Sequence, residues 1–125
     1  MINRVNLCGR LTGDPEMKHT SRNTIYVKFR VAVDYRYQQG GEWKSKTDFV
    51  PCVAWGREAE YLAQNGVKGA WVVLEGRINV GSYQAQGQTR QTFEVHSERL
   101  QVITHQGGAG KAPSQEYRSD DDIPF

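Results

Sequence analysis

From Ile25 to Val33 every second residue is apolar: Ile25, Val27, Phe29, Val31 and Val33 share one parity, and Tyr26, Lys28, Arg30 and Asp34 take the other. A period of two places the two sets on opposite faces of a strand, so this stretch demands a sheet with one dry side and one wet side. The neighbouring segments agree. Val5, Leu7 and Leu11 alternate with Asn6, Arg10 and Thr12 and predict an earlier strand, ended by Gly13-Asp14-Pro15. After a turn at Gln39-Gly40-Gly41-Glu42, Thr47 to Trp55 is apolar on both faces and predicts a third strand. Arg57 to Asn65, bounded by Gly56 and Gly66, predicts a short helix with Ala59, Leu62 and Ala63 on its buried stripe.

Ala70 to Val80 predicts a fourth strand, with Val72, Leu74, Ile78 and Val80 inward and Arg77, Asn79, Gly81 and Tyr83 on the opposite face. Ala85-Gln86-Gly87-Gln88 reads as a hairpin tip, and a fifth strand returns from about Thr89 to Ile103. Its parity slips at Ser97-Glu98-Arg99, which predicts a bulge. Three strands, a short helix and two more strands make the ground plan of an OB-fold, a five-stranded barrel. A small sandwich or an SH3-like barrel accounts less well for the helix. The expected fold is therefore all-β with one short helix: an OB-fold domain over residues 1–105, then a disordered C-terminal tail.

The tail has two parts. From Gln106 the chain turns Gly-, Pro- and polar-rich, as a flexible linker does, and it closes on Asp120-Asp121-Asp122-Ile123-Pro124-Phe125. Three carboxylates running into an apolar tip suit capture by another protein: a pocket for the Phe125 ring, a basic rim for the acids, and Pro124 limiting the entropy lost on docking. An acidic solubilising tail would not need the apolar end. The tip also conceals the character of the rest. Residues 1–119 hold all 16 basic residues and 11 of the 14 acidic ones, a net charge of +5 where the whole chain carries +2. A basic body with an acidic tether suggests a polyanion partner.

No apolar run reaches the length of a membrane span, and Met1-Ile2-Asn3-Arg4 lacks a signal-peptide pattern, so the expected location is the cytosol, with no membrane partner. Cys8 and Cys52 lie far apart in strand-like segments and read as reduced packing residues. His19, His96 and His105 do not cluster with cysteines or carboxylates at metal-ligand spacings, and no Ser sits in a nucleophile elbow. Gly107-Gly108-Ala109-Gly110-Lys111 has the wrong spacing for a phosphate loop, and Ala112 stands where Ser or Thr would hold magnesium. The expectation is a binding protein with no enzymatic activity, metal or cofactor.

The aromatic residues carry the binding chemistry. Phe49 and Trp55 are an even number of residues apart on one strand and project from the same face, Tyr83 shares a face with Arg77 and Asn79, and Tyr37 borders a Gly-rich loop. An exposed ring beside an Arg can stack a nucleobase while the guanidinium meets phosphate. Phe29 and Phe93 read as core, and Trp43 and Trp71 fit either role.

These residues carry a resemblance. Ile2-Asn3-Arg4-Val5, Leu7, Gly9-Arg10-Leu11-Thr12 and Asp14-Pro15-Glu16, then Asp48-Phe49, Val53-Ala54-Trp55-Gly56-Arg57, Ala59-Glu60, Glu75-Gly76-Arg77 and Glu94-Val95, together with the Ile-Pro-Phe ending, resemble the bacterial-type single-stranded DNA-binding proteins, cellular or phage-encoded. The resemblance implies a homotetramer, with one interface along the Asn3–Gly9 strand, and single-stranded DNA wrapped by stacking and phosphate contacts. It places the stacking rings on Tyr37, Phe49, Trp55 and Tyr83 and basic contacts on Arg57, Lys68 and Arg90. It makes Asp120 to Phe125 the docking peptide for replication, recombination and repair proteins. Asn79-Val80-Gly81-Ser82 departs from the basic run that relatives often carry there. An RNA-binding OB module of the cold-shock type is the alternative; it predicts clustered aromatics on adjacent strands and no docking tail.

Overall fold

The computed structural model describes residues 1–103, and the linker and acidic tip lie outside them. The strands are β1 (Val5–Leu11), β2 (Lys18–His19), β3 (Ile25–Gln39), β4 (Glu42–Trp55), β5 (Trp71–Ala85) and β6 (Gln88–Ile103), and helix α1 (Gly56–Asn65) separates β4 from β5. Neighbours run in the order β1–β5–β6–β4–β3, and β3 pairs back onto β1, which closes a five-stranded barrel. All these pairs are antiparallel except β4 with β6, which meet in parallel at Cys52/Val95 and Val53/His96. This is the expected OB-fold. The two-residue β2, paired with Tyr26 and Ile25 of β3, is an addition the sequence reading lacked.

Closure demands a close approach. β1 meets β3 only at Arg10/Ala32 and Leu11/Val31. A Cβ on the adjacent Gly9 would collide with the Ala32 carbonyl oxygen, so only glycine lets the two backbones come this near. Beyond the N-terminal end of β1 the Asn3 side chain continues the ladder: its Nδ2 donates to the Ile78 carbonyl and its Oδ1 accepts the Ile78 N–H, both at 2.9 Å.

The inward parity of each strand meets in one core. Leu11, Val27, Phe29, Val31, Val72, Leu74, Val95 and Val102 are buried there, with Cys52 and Ala54 of β4. Ala59 and Leu62 of α1 join the same core. The helix also closes a seam in the hydrogen bonding. Once β4 ends at Trp55, β6 has no strand beside it on that flank among the described residues. Glu58 Oε1 accepts the Leu100 N–H at 2.9 Å and the Tyr61 hydroxyl accepts the Val102 N–H at 3.0 Å, which satisfies two backbone donors that would otherwise be stranded. The expected bulge is present: Arg99 faces Glu75 and Ser97 faces Gly76, so Glu98 is the extra residue.

Past the barrel rim, β3–β4 and β5–β6 continue as two-stranded ribbons, and several expectations fail there and on β1. Ile78 and Val80, expected inward, are exposed, and Phe93, expected in the core, is 46% exposed. β1 covers β5 only as far as Gly76, and β4 meets β6 only at Val95 and His96, so the apolar parity of the β5–β6 ribbon runs on with nothing among the described residues packed over it. Cys8, expected to pack, lies on the outward parity of β1 and is exposed. The third strand also begins at Glu42 rather than near Thr47, because pairing with β3 extends to Gln39/Glu42. No helix among the described residues is long and apolar enough to cross a membrane.

Candidate nucleic-acid interface

Strand register decides which candidate residues share a surface. On β3–β4 the pairs Tyr26/Trp55, Lys28/Val53, Arg30/Pro51 and Ala32/Phe49 have the outward parity. On β5–β6 the corresponding pairs are Arg77/His96, Asn79/Glu94, Gly81/Thr92 and Tyr83/Arg90. The two sets adjoin where β4 and β6 run in parallel: the Trp55 ring lies 5.4 Å from Tyr26 and 6.3 Å from His96. Phe49, Trp55 and Tyr83 therefore occupy one side of the continuous β3–β4–β6–β5 sheet, and each is between 41% and 52% exposed.

Each ring has a basic neighbour. The Arg30 guanidinium stands 5.3 Å from the centroid of Phe49. Arg90 is the cross-strand partner of Tyr83. Arg57, the second residue of α1, follows Trp55 by two positions and is exposed. Glu94 is a carboxylate within this surface, and it lies 3.4 Å from Lys28 Nζ and 3.5 Å from His96 Nε2, so its charge is locally offset, as is that of Asp34 beyond Phe49, 2.9 Å from Arg10. Beneath it, burial first and the nearby Glu94 carboxylate second push the Cys52 thiol up to about 12, which keeps it protonated and unreactive.

Two expected residues stand elsewhere. Tyr37 pairs with Lys44 on the reverse side of the β3–β4 ribbon, where its ring stacks on Tyr35 at 6.0 Å. Lys68 lies in the loop between α1 and β5, and its backbone N–H donates to Asp14 Oδ1 at 2.7 Å. The sequence reading missed Arg30, Tyr26 and His96. The first two were visible as the wet parity of Ile25–Val33. His96 approaches Trp55 only through the parallel β4–β6 pairing, which has no local signal. Asp120 to Phe125 fall outside the described residues.

The model of the Single-strand binding protein family matches residues 2–103. The chain belongs to this family. Among relatives, the single-stranded DNA-binding protein of Treponema pallidum is 34% identical over 119 residues, covering 94% of this chain and 68% of that protein. That of Clostridium tetani is 44% identical over 104 residues, covering 82% and 70%. Single-stranded DNA-binding protein 3 of Streptococcus agalactiae is 37% identical over a 141-position alignment covering both chains completely. The barrel of this single-strand binding family member also superimposes on a Plasmodium falciparum SSB solved in complex with ssDNA, with a TM-score of 0.77 at 21% identity over 83% of this chain and 96% of the other. A deletion mutant of the Thermus aquaticus single-stranded DNA binding protein gives 0.75 at 22% identity, over 85% and 52%. At these identities the structural likeness bears on the fold.

Proposed function

We propose that this protein binds single-stranded DNA with little regard to sequence, stacking bases on Trp55, Phe49 and Tyr83 while Arg57 and Arg90 meet phosphates beside them and Lys68, in the loop after α1, meets a phosphate further along the strand's path. The observation that carries the reading is the exposure of those three large rings on one basic side of the sheet, where burial would otherwise be expected. Every base has a π-face, so stacking gives affinity without reading sequence. Tyr37, with Tyr35 and Lys44 on the reverse of the ribbon, would serve a strand that passes round the ribbon's edge. The role is binding rather than catalysis, in the cytoplasm.

Assembly is part of the same proposal. β5 covers one edge of β1 from Val5 to Arg10, while β3 reaches the other only at Arg10 and Leu11, which leaves the Val5–Gly9 edge available for pairing with a second copy. A homotetramer built from such contacts would give the strand a longer path than one barrel offers. The tip from Asp120 to Phe125 would recruit replication, recombination and repair proteins, a reading that rests on its sequence.

One comparison tests the core of this reading. At a fixed salt concentration, labelled oligonucleotides of equal length as single-stranded DNA, duplex DNA and RNA are titrated with the full-length protein. Single-stranded DNA should bind most tightly, with similar affinities across homopolymers. Preference for the duplex or for RNA would overturn it. Removing residues 120–125 should leave that affinity intact and abolish capture of replication proteins; unchanged capture would place recruitment on the barrel.

A further inference from the structure

Trp55, Phe49 and Trp43 are spaced six residues apart along β4, and an even spacing puts all three on one side of the strand. The arginines opposite follow the same step. Arg30 stands over Phe49, with its guanidinium 5.3 Å from the ring centroid. Six residues further along β3, Arg36 stands over Trp43 at 5.0 Å. Because the strands are antiparallel, moving six residues forward on one and six back on the other carries the first cation–ring unit onto the second. At about 3.4 Å per residue the two units are roughly 20 Å apart.

Folding gives no reason for a tryptophan at Trp43. It lies near the tip of the ribbon, its register partner is Gln38, and it is 56% exposed. The guanidinium holds the indole in place, and more than half of the residue's surface stays open. Gln38, Arg36 and Ser45, the nearest residues on that side, include no carboxylate, and Asp34, on the same side between the two units, is held by Arg10 at 2.9 Å and by the Thr47 hydroxyl, so the electrostatics favour an anionic partner over a cationic one, and the open ring faces suit one that carries bases.

We propose that Trp43 and Arg36 form a further contact for single-stranded DNA, with a base stacked on the indole and a phosphate met by the guanidinium, so that the track continues from Trp55 and Phe49 to the end of the ribbon. The inference rests on the single-stranded DNA reading given above. Its basis is the repeated geometry, the charge, and continuity with the surface already described. It assigns a role to a residue for which the sequence alone fits core and site equally well.

The test reads Trp43 directly. In full-length protein carrying Trp55→Phe and Trp71→Phe, Trp43 is the remaining tryptophan, and a ring is kept at the other two positions. Poly(dT) is added while anisotropy of a labelled oligonucleotide reports binding independently. Trp43 emission should quench in step with the anisotropy change. In the otherwise unaltered protein, Trp43→Ala should weaken binding to long poly(dT) about 5-fold or more, and should leave unchanged the affinity for oligonucleotides too short to span from Phe49 to the tip. Binding reported by anisotropy with Trp43 emission unmoved at saturation would overturn this contact and leave the DNA-binding reading standing. Absence of any anisotropy change with the unsubstituted protein would overturn both.

Discussion

Replacing Trp55 with alanine separates the two things its ring does. Trp55 is 41% exposed, and the covered part packs against Tyr26 and His96. A Trp side chain presents up to about 250 Å², so roughly 100 Å² is open to a base, worth at most about 2.5 kcal/mol at 25 cal/mol per Å². Ordering the strand consumes some of that, and a net loss of ~1–2 kcal/mol follows, or about 5- to 30-fold in Kd. The remaining ~150 Å² packs within the protein, so the same change should lower folding stability by ~2–3 kcal/mol once compactness of the denatured chain is allowed for. A small domain holding ~5–15 kcal/mol remains folded. The assay is anisotropy with dT, dA and dC homopolymers at one salt concentration, beside urea unfolding of the free protein. The Kd should rise by a similar factor for all three, the urea midpoint should fall with its slope unchanged, and Trp55→Phe should recover most of both. A folded Trp55→Ala protein with wild-type affinity would refute the stacking role. So would an affinity loss confined to one homopolymer.

Three further outcomes follow from other contacts. Arg90→Gln should lower affinity for all homopolymers and reduce the slope of log K against log salt by about 0.7, the signature of one lost phosphate contact; an unchanged slope would remove Arg90 from the interface. Tyr61→Phe strands the Val102 N–H beneath the helix, and urea unfolding should show ~1–3 kcal/mol of destabilisation, with DNA affinity preserved under conditions where the protein is folded. With Cys52 pushed up to about 12 from 9.0, a thiol reagent at pH 8 should titrate only Cys8 in native protein and both thiols after denaturation. The unfolded thiol ionises first, so its contribution to stability is complete below pH 9 and declines as pH rises toward 12; relative to a Cys52→Ala control, the unfolding midpoint should fall across that window.

What the sequence made legible was whatever depends on neighbours along the chain. The alternation at Ile25–Val33, the Ala59/Leu62 stripe of the helix and the slip at Glu98 all reappear in the barrel, because each is set by local periodicity. The hairpin tip at Gln86-Gly87 already made Tyr83 and Arg90 cross-strand neighbours. Ile78, Val80 and Phe93 were misread for a definite reason. Periodicity says which residues share a face, and whether anything covers that face is a matter of where β1 and β4 end. β2 had no apolar pattern to find; it follows a pairing set up by the turn in which the Thr20 and Thr24 backbones bond and Asn23 adopts a left-handed conformation. The meeting of Trp55 with His96 needed the parallel strand contact, and no local pattern encodes that.

The ribbons beyond the barrel rim divide labour within one domain. Trp43, Tyr83 and Arg90 stand where each strand has a single neighbour, while the residues that hold the barrel closed lie below. Amide protons there should exchange with solvent sooner than those of Val27 or Leu74, and slow when a ligand covers them. Substitutions in these stretches draw little on the free energy of the core, so the ligand-facing surface can drift through many sequences while the scaffold stays fixed. Such a layout gives a lineage room to adjust grip and site length in small steps, each one open to selection without a folding defect to repair.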